Sequence, residues 1–179
     1  MSEERRAAGV AHADGRPDVE YARGVLAGRF GEPEIAVVEA RSTWRGRMRS
    51  EVMARHHRLV VDEPLDREGD DGGPSPLELV VSGLCACETV TMKRMADKMR
   101  MRVDGFEVEA RGTIDRRGRK GTADVPAHFL RVEVRARVKT AESDERVQRL
   151  KELVERHCPM ATLMRGAPLE FDSVWERVE

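Results

Sequence analysis

Aromatic residues are scarce, at 4% of 179 residues, and none interrupts the basic run from Arg116 to Lys120. Without rings to stack on bases, that run reads as a solvated turn, not a nucleic-acid site. Neither sign of charge prevails: 32 Lys and Arg stand against 33 Asp and Glu, a net charge of −1. Charges make up 36% of the chain yet are interleaved, so no segregated basic face is expected and nucleic acid is not an expected partner. Cysteine is limited to Cys85, Cys87 and Cys158, an odd and small number that excludes a disulfide scaffold. The chain opens with Glu3, Glu4, Arg5 and Arg6 instead of an apolar signal segment, so a cytoplasmic protein with reduced thiols is expected. No apolar run approaches the ~20 residues that a bilayer requires, and no membrane association is expected.

What the chain does have is one dominant stretch, from Gly73 to about Arg100. Ser75 is placed to cap a helix, Pro76 suits its first position, and Glu78 completes a capping box. Leu77, Leu79, Val80, Val81, Leu84, Cys85, Ala86, Cys87 and Val90 point in every direction around the axis, which predicts a helix whose first half is buried on all sides. Charges recur only after Glu88. About 25 residues at ~1.5 Å each give a rod of roughly 37 Å.

The remainder reads as one domain, residues 34–179, preceded by a partly ordered arm over residues 1–33 with a short helix near Val19 to Ala27. Ile35 to Ala40 is expected as a first strand and Thr43 to Gly46 as a turn. A half-buried strand through Met48, Ser50, Val52 and Ala54 then pairs with His57 to Asp62. The acidic, glycine-rich residues after Pro64 predict a flexible loop. Phe106 to Ile114 and Leu130 to Val138 alternate as strands, with Glu107 and Glu109 able to pair with arginines across the sheet. Ser143 or Asp144 caps a second helix whose apolar face includes Val147, Leu150, Val154 and Cys158, ended by Pro159. A helical turn over Pro159 to Arg165 and a closing strand from Leu169 to Trp175 complete the chain. The order implies α+β architecture with antiparallel sheet packed on helices. One such sheet cannot surround the central helix, so a second copy, a homodimer, is expected to supply the cover.

Cys85 and Cys87 are separated by about 200° around a helix, so they cannot share a site, which argues against zinc held by Cys85, Cys87, His157 and Cys158. Cys85 is expected as a small apolar filler. Cys87 and Cys158 lie on the apolar faces of their helices and are candidates for a close pair. A reactive Cys87 requires a cation, because it lies too far from the helix start for the dipole to help and burial alone raises a thiol's pKa. Arg45 and Arg47 are the candidates, with Arg49 behind them. For Cys158, the end of one helix disfavours a thiolate and the start of the next favours it.

The segments His57 to Pro64, Gly73 to Leu79 leading to Cys87, and His157-Cys158-Pro159 together resemble the OsmC/Ohr family, osmotically inducible and organic hydroperoxide resistance proteins. The likeness runs from about Trp44 to the C-terminus. It implies an intertwined homodimer in which β-sheets wrap central helices, with sites at the subunit interface. It further implies reduction of small organic hydroperoxides without metal or cofactor, with Cys87 as attacking thiol, Cys158 as resolving thiol, and a dithiol reductant. Peroxidase members also carry a Glu directly after the proline of the helix start, where this chain has Leu77. Glu78 is one position on, rotated by about 100°. The alternative reading is a non-catalytic OsmC-like stress or ligand-binding protein that uses the dimer groove.

Overall fold

The structure, a computed structural model, describes residues 19–178. The arm expected over residues 1–33 lies outside the described residues as far as residue 18. Helix α1 (Val19–Leu26) is the short helix expected there. The described residues divide into two compact units, one of residues 23–82 and the other of residues 83–178 together with 19–22.

In the first unit, β1 (Arg41–Trp44), β2 (Ser50–Ala54) and β3 (His57–Val61) form an antiparallel sheet in that order. The first strand thus begins at Arg41, and Ile35 to Ala40 carries no regular structure. Its pairing partner sets the limit: Arg41 pairs with Met53, and β2 ends one residue later where Arg55 takes a left-handed φ of 56°. Thr43 and Trp44 pair within the sheet, so the turn is Arg45 to Arg49, with Gly46 at φ 103°.

The loop after Pro64 is more ordered than its composition predicts. Asp62 is buried, and its carboxylate accepts backbone N–H groups from Glu63 at 2.9 Å, Gly72 at 3.2 Å and Asp70 at 3.3 Å. One acceptor therefore organises ten residues of loop. The burial of Asp62 opposes its ionisation, but the three backbone donors and nearby Arg49 outweigh it and lower its pKa.

Helix α2 (Pro76–Lys98) begins as expected, with Ser75 N–H donating to Glu78 Oε2 at 2.6 Å and Glu78 N–H donating to Ser75 Oγ at 3.4 Å. Within this one chain, burial along it is concentrated in the second half. Leu84 is the first buried residue, and the others, Glu88, Thr91, Met92, Met95 and Ala96, lie in the second half. Met92 and Met95 are therefore core residues.

The second unit holds β4 (Gly105–Ile114), β5 (Phe129–Lys139) and β6 (Glu170–Val178), in that sheet order. Val132, Val134, Ala136 and Val138 of β5 are buried on one face. Arg137 reaches Glu107 at 2.7 Å on the other face. A register shift between Thr113 and Ile114 breaks the alternation, so Phe129 is buried and Leu130 exposed. A side chain at Gly112 would collide with the Phe129 ring, which accounts for a glycine inside this strand. The pairing of β5 with β6 is parallel, where antiparallel sheet was expected. The reason is the crossover through α4 (Asp144–His157) and α5 (Pro159–Gly166), which returns the chain to the same end of the sheet. The basic run forms α3 (Arg116–Lys120), with Asp115 accepting from Arg117 N–H at its start.

Candidate functional site

Cys158 joins α4 to α5. Its backbone N–H donates to Val154 O at 2.7 Å, closing α4, and its Sγ accepts from Ala161 N–H at 3.5 Å, capping α5. Pro159 stands at the first position of α5, where its missing N–H costs nothing. The Cys158 side chain is fully buried, on the face that carries Val147, Leu150 and Val154.

The second unit brings Cys87 and Cys158 together. Cys87 lies close enough to Cys158 to act on its titration. Burial pushes the Cys158 thiol up to about 11, more than the Ala161 N–H lowers it, and nearby Cys87 adds to the rise. The competing influences on Cys158 thus resolve in favour of the proton.

Cys85 faces elsewhere, as the helical rotation requires: it approaches the backbone of Ala110 in β4. Burial first, then the carboxylate of Glu88, pushes its thiol up. All three cysteines are free thiols. Among the described residues no cluster of His, Cys, Asp and Glu is arranged to hold a metal ion.

Arg45 and Arg47 lie in the first unit, and each is engaged with a carboxylate. Arg45 Nη2 donates to Glu51 at 3.3 Å, and Arg47 Nη1 donates to Asp70. Glu51 also meets Arg58 at 2.6 Å.

Glu88 is the residue that sequence reasoning passed over. It is fully buried, and neither carboxyl oxygen has a hydrogen-bond partner. Burial, with the Glu155 carboxylate adding and the Arg165 guanidinium opposing, raises its pKa to about 7. The signal was present: Glu88 falls at the i+4 position from Leu84 and the i−4 position from Met92, a charge on an apolar stripe.

The OsmC-like protein family model matches residues 69–172, more than half of the chain. No curated protein matches it. Solved structures share the fold. An OsmC like protein from Mycoplasma pneumoniae gives a TM-score of 0.70 at 15% identity, covering 80% of this chain and 99% of that one. An organic hydroperoxide resistance protein from Legionella pneumophila gives 0.61 at 17%, covering 81% and 98%. Another from Elizabethkingia anophelis gives 0.60 at 20%, covering 81% and 97%. With a family model spanning both the helix that bears Cys87 and the Cys158-Pro159 junction, the chain belongs to the OsmC-like protein family.

Proposed function

We propose that the protein reduces organic hydroperoxides through Cys87 and Cys158. The observation that carries the reading is the approach of two thiols 71 positions apart in sequence, numbered 87 and 158. Membership of a family with organic hydroperoxide resistance proteins among its structural neighbours supports it.

In this mechanism the Cys87 thiolate attacks the terminal oxygen of the hydroperoxide. The O–O bond breaks, Cys87 becomes a sulfenic acid, and the alkoxide takes up a proton and leaves as an alcohol. The Cys158 sulfur then attacks the sulfenic sulfur. Its proton leaves with the hydroxyl as water, and a disulfide forms. A dithiol reductant restores both thiols by exchange. The retained proton on Cys158 suits the second step, because the resolving thiol must not compete for the peroxide. Arg45 or Arg47 is proposed as the cation that the attacking thiolate calls for. A homodimer is proposed as the working unit, and the exposure of Val90 on α2 (53%) and Leu163 on α5 (63%) supports a partner surface.

Stopped-flow mixing of reduced protein with cumene hydroperoxide is expected to show thiol loss far faster than for a free thiol, abolished in Cys87→Ser. Oxidation at the pace of a free thiol would overturn the proposal.

Leu77, in the position of the glutamate implied by the peroxidase resemblance, favours a second reading, a non-catalytic stress or ligand-binding protein. That reading requires Cys87→Ser to retain function in cells. Loss of function in that variant would discard it.

A further inference from the structure

An ionisable side chain buried without a hydrogen bond is rare enough to require a reason. Glu88 is such a group, and it belongs to neither of the proposed chemical steps. The groups that act on it come from each neighbouring helix. Glu155 of α4 and Arg165 of α5 are the charges, and Cys85 is the titratable group on its own helix. Glu109 of β4 acts on Cys85 in turn.

Glu155 and Arg165 are themselves paired, tying α4 to α5 across the Cys158 junction. Lys151 also approaches Glu155, at 3.7 Å. Arg165 lies 5.7 Å from the centre of the Phe171 ring. One guanidinium therefore serves two carboxylates, of which Glu155 has a second cation and Glu88 has none within hydrogen-bond reach.

We propose that Glu88 is a proton-operated latch on the junction of α4 and α5. Protonated, it leaves the Glu155–Arg165 pair intact. Ionised, it draws Arg165 from Glu155, which keeps Lys151, and the shift of Arg165 loosens α5. Because Cys158 caps α5, the latch regulates delivery of the second thiol, and this last consequence rests on the function proposed above. The near-neutral titration of Glu88 places the change in the physiological range.

The test is a carbon-detected NMR titration of glutamate side-chain carboxyls in the full-length reduced protein, with Glu88→Gln assigning the resonance. Amide exchange of residues 159–166 is followed in parallel, corrected for the intrinsic pH dependence of exchange. The Glu88 carboxyl is expected to titrate near neutrality. Glu155→Gln should move the midpoint down and Arg165→Gln should move it up, each by about one pH unit. Protection of α5 should fall about tenfold above the midpoint in the wild type and stay level in Glu88→Gln. If Glu88→Gln does not fold, the opposed shifts in the other two variants still decide. A carboxyl already ionised at pH 5, shifts of the same sign, or unchanged α5 protection would each overturn the latch. None of these readouts needs a peroxide or a disulfide. A failed titration leaves the thiol mechanism standing, and a failed peroxide assay leaves the titration standing.

Discussion

Replacing Glu88 by Gln is expected to change the pH dependence of stability in a way that nothing else on α2 can. An unfolded glutamate ionises near its ordinary value of 4.5, whereas Glu88 in the folded protein does so at about 7. Below 4.5 the group is neutral in both states and its burial carries no ionic penalty. Between 4.5 and 7 the unfolded chain releases the proton that the folded chain keeps, so stability falls as pH rises. Above 7 the folded protein holds a buried charge, and the full penalty is present. A rise of this size corresponds to roughly 3 kcal/mol, at ~1.36 kcal/mol per pH unit. Gln retains the shape without the titration. Urea unfolding of both proteins at fixed protein concentration, from pH 4.5 to 8.5, isolates the effect as a difference, because the depressed carboxyls of Asp62, Glu78 and Asp115 are common to both. The stability of Glu88→Gln relative to wild type should climb by about 3 kcal/mol across that range. A difference that stays constant with pH would refute the reasoning, since Glu88 would then titrate alike in both states.

Other outcomes follow from single contacts. Asp62→Ala leaves three backbone donors without their acceptor and is expected to cost about 1–3 kcal/mol, with faster amide exchange at Asp70 and Gly72. In the wild type the contribution of Asp62 is full above its unfolded pKa and is lost as pH falls through its lowered folded value, so Asp62→Ala should lose part of the wild type's acid sensitivity. Ser75→Ala removes half of the capping box and should cost about 1 kcal/mol in urea unfolding. Cys158→Ser should still lose the Cys87 thiol to peroxide at the wild-type rate but stop at the sulfenic acid, trapped by dimedone and read by mass spectrometry. Arg45→Ala and Arg47→Ala separate the two proposed cations, and the one that serves the thiolate should slow peroxide reaction by at least about tenfold.

Much of this architecture is legible in residue order because local rules set it. The Ser75-Pro76-Glu78 start, the Ser143 cap and the Pro159 break all depend on near neighbours, and each appears where the sequence places it. Strands failed to be legible where the partner decides. Ile35 to Ala40 is apolar enough to pair, yet β2 ends before it can serve, and the parallel pairing of β6 is set by the α4–α5 crossover, not by any residue in β6. The acidic loop misled for a related reason: composition counts charges but cannot show that Asp62, outside the loop, gathers its N–H groups. For the thiols, helical rotation alone separated Cys85 from Cys87, and the apolar faces of their helices paired Cys87 with Cys158 as candidates, to which the family resemblance added their roles. Glu88 was passed over because it stands where the charges of α2 begin, although it is buried.

The most direct measurement is disulfide mapping after a single turnover. Reduced full-length protein is mixed with one equivalent of cumene hydroperoxide, quenched by alkylation and analysed by peptide mass spectrometry. A Cys87–Cys158 disulfide with Cys85 alkylated is the predicted product. Cys87 and Cys158 both alkylated, or a bond that includes Cys85, would contradict the account.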